Sequence, residues 1–185
     1  MFIKFIQNKV IWFLTVLTIY LIFKPWWQKG RVHIVMDKKI IIFTGIQASG
    51  KTSFYKRFLS EGYEHISLDI LHTRNKENIA IEECFRNGRS FVIDNTNPSE
   101  EDRRRYIEKA QEHGYYIEGY YFSSVIADCI SRNRQREGKA CVPDCAVAST
   151  YNKLEIPSLK EGFHKLNYVR MENGGFIVED WSEDK

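Results

Sequence analysis

The stretch from Ile40 to Ser53, IIIFTGIQASGKTS, limits the choice of fold more than any other part of the chain. A short β-branched apolar run reads as a strand buried on both faces. The run breaks at Gly45, and a pattern of the form G-x-x-x-x-G-K-[ST] closes at Thr52, where a helix resumes. Glycines at 45 and 50 let the backbone wrap around an anion with its N–H groups inward, and the following helix adds the positive end of its dipole. A strand, a phosphate-binding loop and a helix in that order call for a parallel sheet with ligands at the carboxyl ends of its strands. Gly45, Ile46, Gln47, Ala48, Ser49, Gly50, Lys51, Thr52 and Ser53 are therefore expected to hold a nucleoside triphosphate, taken to be ATP. Lys51 is expected to reach the β- and γ-phosphates, and Thr52 to offer its hydroxyl to Mg2+.

The remainder alternates in the same sense. His65–Leu68 reads as a strand ending at Asp69, Glu77–Asn87 as a helix stopped by Gly88, and Ser90–Ile93 as a strand. Ser99–His113 reads as a helix with Ser99 as its N-cap and Gly114 as its stop, Tyr115–Phe122 as an aromatic-rich strand, and Val125–Arg136 as a further helix. The alternation predicts an α/β P-loop NTPase fold, a three-layer sandwich about a parallel sheet with a helical lid.

Charge divides the chain unequally. Residues 1–35 carry no acidic side chain and five of the 27 basic ones, Lys4, Lys9, Lys24, Lys29 and Arg31, which leaves 22 basic against 24 acidic residues in 36–185. A body with that balance does not track along duplex DNA by neutralising many phosphates, so a nucleic-acid partner would be held over a short footprint. The uncharged run Val10–Phe23, extended by Trp26 and Trp27, falls short of the ~20 apolar residues of a spanning helix. Two readings stand: residues 1–35 form a hydrophobic helix that anchors the chain to a membrane through residues 10–27, or Met36 is the true start of a domain covering 36–185. In either case an ATP-using domain on the C-terminal side belongs in the cytoplasm. No obligate protein partner is evident.

Transfer of a phosphoryl group needs a group that positions or deprotonates the acceptor and cations over the transferring oxygens. Asp69, at the end of the second strand, is a candidate general base, with helix capping as its alternative. Asp94, closing the strand in FVIDNTN, is a candidate partner of Mg2+, with an Asx-turn as its alternative. In SRNRQREGK, Arg132 and Arg136 lie four apart and are expected to share a helix face, forming a lid that closes on the triphosphate. Arg103, Arg104 and Arg105, beside Glu100, Glu101 and Asp102, read as a salt-bridged helix surface. Tyr63, Tyr116, Tyr120 and Tyr121 read as core residues, with base stacking as the alternative. Cys141 and Cys145 lack two further zinc ligands at a sensible spacing and read as ordinary thiols.

Three segments carry a resemblance: FVIDNTNPSEEDRRRYIEKA (Phe91–Ala110), RNRQREGKACVP (Arg132–Pro143) and YNKLEIPSLKEGFHKL (Tyr151–Leu166). With them the chain resembles, from about Lys39 to Leu166, the kinase domain of polynucleotide 5′-hydroxyl kinases, especially that of the animal polynucleotide kinase/phosphatases. The resemblance implies that Lys51 and Thr52 serve ATP and Mg2+, that Asp69 is the general base, and that Arg132 and Arg136 are lid arginines on the donor phosphates. It makes a nucleic-acid 5′-OH end the first acceptor and a small-molecule hydroxyl the second; a membrane-tethered, slowly hydrolysing ATP-binding module is a third reading of a different class. Two positions depart from the family pattern. Ser67-Leu68 stands where the nucleic-acid kinases carry Asn-Arg before the catalytic Asp, and His72 stands where the phage-type enzyme has a further Arg. The grip on the acceptor's phosphate is then weakened or moved, with Arg74 as the alternative. The Asp-x-Asp-x-Thr motif of the companion 3′-phosphatase is missing, so no phosphatase activity is expected.

Overall fold

The computed structural model describes residues 38–181. The hydrophobic helix expected in residues 1–35, and the anchor expected through residues 10–27, lie outside these residues. Among the described residues no helix is long and apolar enough to cross a membrane.

The elements in chain order are β1 (Lys39–Thr44), α1 (Lys51–Phe58), β2 (Glu64–Ile66), α2 (Leu68–Leu71), α3 (Arg74–Asn87), β3 (Phe91–Ile93) and α4 (Glu100–Glu112). They continue with β4 (Tyr116–Phe122), α5 (Ile126–Asn133), α6 (Asp144–Asn152), β5 (Lys165–Glu172) and β6 (Gly175–Asp180). The strands form one sheet in the order β2-β3-β1-β4-β5-β6. The pairs from β2 to β5 are parallel, as the alternating pattern predicts. The last pair, β5 with β6, is antiparallel and corrects the expectation of a purely parallel sheet. Its turn is Asn173-Gly174, both at positive φ (50° and 73°), the geometry of a tight hairpin.

β1 shows why the sheet has helices on both faces. Ile40 and Ile42 pack with Ile81, Cys84 and Phe85 of α3 and Tyr106, Ile107 and Ala110 of α4. Ile41 and Phe43, pointing the other way, pack with Phe54 and Tyr55 of α1. A strand with no polar face needs a layer on each side, which makes the three-layer sandwich. α4 begins at a complete capping box between Ser99 and Asp102, matching its expected start.

Three expectations are corrected. β2 ends at Ile66, and Ser67 then caps the one-turn helix α2, so Asp69 lies in a helix and not at a strand end. α3 starts three residues before Glu77, at Arg74, behind the cap Thr73. α5 stops at Asn133 and does not reach Arg136. The side chain of Asn133 exchanges hydrogen bonds with the backbone of Val142, donating at 2.6 Å and accepting at 3.2 Å, which ties down the returning chain.

Candidate active site

The loop after β1 has the backbone that its glycines allow. Gly45 and Gly50 have φ of 151° and 103°, and Ala48 is left-handed at 60°. A Cβ at Gly50 would stand 2.8 Å from Met171 Sδ and 3.0 Å from Phe176 Cε1, so the β5–β6 hairpin itself excludes a side chain there. Gly50 is the N-cap of α1 and supplies no side-chain cap, leaving the first-turn N–H groups directed at the loop. Lys51 curls back into the loop and donates to the carbonyls of Gly45 (2.8 Å) and Ile46 (2.7 Å) and to Ser49 Oγ (3.3 Å). Burial pulls its ammonium down to about 8 despite the nearby carboxylate of Asp94.

The loop is also the floor of the lid. Ile46, fully buried, packs with Cys129 of α5 and Val147 of α6 in a small separate core. Gln47 Nε2 donates to Thr150 Oγ1 at 3.0 Å, and Arg132 Nε donates to the carbonyl of Ala48 at 2.9 Å. Arg132 and Arg136 therefore do not share a helix face. Arg132 braces the loop backbone, while Arg136, beyond the end of α5, lines the cleft.

That cleft, of about 700 Å3, opens at the carboxyl ends of β1, β2 and β3. One wall is Gln47, Ala48, Gly50, Lys51 and Thr52; the opposite wall is Leu68, Asp69, His72 and Arg74; Arg136 and Lys139 reach in from the lid. Asp94 lies at the back, where Thr52 Oγ1 donates to its Oδ2 at 2.7 Å and His65 Nε2 stands 2.9 Å from the same oxygen. His65 is fixed by stacking on Tyr55 at 3.9 Å. A hydroxyl beside a carboxylate is a pair of hard oxygen donors that fits Mg2+ shared with phosphates. Among the described residues no group of three or more His, Cys, Asp or Glu could hold a metal by itself. Four cations (Lys51, Arg74, Arg136, Lys139) face two carboxylates (Asp69, Asp94), so the cleft is positive in a body of slight negative charge.

The IDNTNP segment works as a bracket. Asp94 holds Thr52, and Asn95 Oδ1 accepts from Leu68 N at 2.9 Å. The carbonyl of Thr96 accepts from Gly45 N at 3.0 Å. Asn97 Nδ2 donates to the carbonyl of Phe43 at 2.8 Å. The bracket is closed from behind by Arg103, which is buried and not on the surface where the run of arginines placed it. Its guanidinium donates to both carboxylate oxygens of Glu161 (2.7 and 2.8 Å) and to the carbonyls of Asn97, Pro98 and Glu155. Arg104, one residue on, is the exposed partner of Glu100.

Among the described residues no tyrosine lines this cleft. Tyr120 packs on Phe43 and Phe54 in the core, Tyr116 stacks on His164, and Tyr121 belongs to a second cleft with Tyr168 and Trp181. Cys141 and Cys145 are exposed free thiols. Sequence reasoning gave no role to Asn95, Lys139 or His65. Asn95 was in plain view inside IDNTNP.

A parallel sheet in the order 2-3-1-4-5 with a phosphate-binding loop after β1 and a helical lid is the P-loop kinase fold. Residues 78–157 match the family model of an AAA domain. The chain is homologous to the bifunctional polynucleotide phosphatase/kinases: it is 29% identical over 138 residues to that of Schizosaccharomyces pombe, a match covering 71% of this chain and 33% of the relative. It spans about a third of the length of the curated relatives it matches. Among solved structures, a chain of the Pnkp1/Rnl/Hen1 RNA repair complex superposes with a TM-score of 0.54 at 19% identity, covering 68% of this chain and 46% of that one. A gluconokinase from Sinorhizobium meliloti 1021 gives 0.51 at 18%, covering 72% and 83%. At these identities both likenesses are of fold alone.

Proposed function

We propose that the chain transfers the γ-phosphoryl group of ATP to a hydroxyl, and that the acceptor is the 5′-OH end of a nucleic acid. The observation that carries this reading is that one cleft holds both the phosphate-binding loop and Asp69. In this mechanism Asp69 takes the proton of the acceptor hydroxyl while its oxygen bonds to the γ-phosphorus. The bond to the β–γ bridging oxygen breaks, and its electron pair leaves with ADP. The loop N–H groups and Lys51 hold the phosphates, the Lys51 ammonium exchanging loop carbonyls for phosphate oxygens. Arg136 and Lys139 offset charge from the lid, and Arg132 keeps the loop in shape. Thr52 and Asp94 are the residues to hold Mg2+, which when bound neutralises phosphate charge.

A small-molecule hydroxyl is the second reading. Leu68 and His72 on the acceptor wall favour it, since an apolar and a weakly basic side chain stand where nucleic-acid kinases place arginines. The test offers γ-labelled ATP and Mg2+ with 5′-OH DNA and RNA oligonucleotides beside nucleosides and small alcohols. Label on the oligonucleotides is the expected result. Label only on small alcohols would replace the acceptor, and label on nothing while ATP still binds would leave an ATP-binding module.

A further inference from the structure

The two edges of the sheet are finished differently. β2 is three residues long and carries Glu64 and His65, so it offers little backbone for another strand to pair with. β6, at the other edge, runs six residues, GFIVED, in unbroken register against β5. Short length, lysine, proline and bulges are the devices that keep an edge from adding a strand, and the apolar stretch 176–178 has none of them.

The register decides which backbone groups face outward. Trp181 N donates to the carbonyl of Leu166 at 3.0 Å. Bonded and non-bonded pairs alternate along an antiparallel ladder. Counting from that bond, Tyr168 with Glu179, Arg170 with Ile177 and Glu172 with Gly175 are bonded pairs, whereas Asn167 with Asp180, Val169 with Val178 and Met171 with Phe176 are not. The N–H and C=O groups of Phe176, Val178 and Asp180 therefore point away from β5, and no described residue bonds them. An apolar strip runs beside them. Phe176 and Val178 share one face of β6 with Met171, opposite Phe176 on β5, and Phe58 at the end of α1 contacts Phe176 at 6.0 Å between ring centroids. Phe58 is 53%, Val178 47% and Met171 39% exposed.

We propose that β6 is the interface of a homodimer, pairing antiparallel with β6 of a second copy about a two-fold axis at Val178. The strand is complementary to itself. Phe176, Val178 and Asp180 of one copy meet the partner's Asp180, Val178 and Phe176, so each outward N–H finds an outward C=O. Glu179 falls opposite the partner's Ile177 and Asp180 opposite the partner's Phe176, which keeps the acidic ends apart; a parallel copy would set them side by side. The two apolar strips join on one face, with Val178 against the partner's Val178. In the sheet order β4 and β5 stand between this edge and β1, so the cleft at the ends of β1, β2 and β3 stays open in both copies.

Sedimentation equilibrium of the full chain across about 1–100 µM tests the pairing. Wild type is expected to reach twice the mass of one chain within that range. Val178→Lys puts two ammonium groups at the axis, and Val178→Pro removes an outward N–H that β5 does not use. Each acts twice across the axis, so both are expected to raise the dimer dissociation constant by at least about tenfold, with far-ultraviolet circular dichroism unchanged as proof of folding. A wild-type monomer throughout the range would overturn the proposal. So would a dimer of unaltered affinity in both variants, which would place association elsewhere, residues 1–37 included. Loss of the dimer in Val178→Lys alone would leave an apolar contact without strand pairing, and would overturn it too.

Discussion

The two walls of the cleft are built differently. On the donor wall nearly every loop residue is held from behind: Ile46 in the lid core, Gln47 by Thr150, Ala48 by Arg132, Lys51 by three loop oxygens and Thr52 by Asp94. The acceptor wall begins with α2, four residues long with none buried, in which Ile70 is 58% exposed and Asp69 faces open cleft. Its tie to the body on the cleft side runs through Asn95 to Leu68 N. A wall for a constant ligand gains from preorganisation, because ordering costs are met in folding and not in binding. A wall that sets acceptor choice is held by a few side chains and changes with them.

The difference is open to attack by mutation. The largest expected effect is Asp69→Asn. On the proposed mechanism kcat falls by about 10²–10⁴, the range for a general base. Because the residue belongs to the loosely held wall, ATP affinity measured by calorimetry stays within about twofold. Loss of ATP binding would mean that the walls are not separable.

Arg103→Met attacks the bracket behind both walls. It leaves Glu161 buried without its partner and strips donors from three carbonyls, so urea unfolding is expected to show a loss of about 3–5 kcal/mol. Arg104→Ala, the adjacent substitution on the exposed side of α4, is expected to leave the same unfolding curve unchanged. Equal effects at the two positions would contradict the burial of Arg103.

A smaller effect follows from Lys51, whose ammonium burial lowers to about 8 from an ordinary 10.5. Phosphate binding requires the charged form, so ATP affinity is expected to weaken above about pH 8, by up to about tenfold per pH unit. Calorimetry across pH 7–10 checks this, and Lys51→Ala should abolish the slope. Stability takes the opposite sign. Between about 8 and 10.5 the unfolded chain binds more protons at this lysine than the folded one, so its contribution to stability rises with pH over that window.

How much of this was legible depends on the distance over which each feature is decided. The phosphate-binding loop, the capping box at Ser99 and the stops at Gly88 and Gly114 are written in consecutive residues, and the structure has them where the residues put them. The β5–β6 hairpin is also locally signalled, by Asn173-Gly174. Arg103 was not legible, because the residue that buries it, Glu161, is 58 positions away. The same holds for the end of α5, which Asn133 and Val142 settle together, and for the separation of Arg132 from Arg136 that follows.

The sequence by itself thus determined the sandwich, the anion-binding loop and the list of charged candidates, since strand burial, turn chemistry and helix capping act between near neighbours. Only the tertiary structure decided which charges meet. It put Asp69, Arg74 and Arg136 on the rim of one cleft and sent Arg132 and Arg103 to hold backbone. A hydrogen bond or ion pair is settled at about 3 Å in space, and separation along the chain does not encode it.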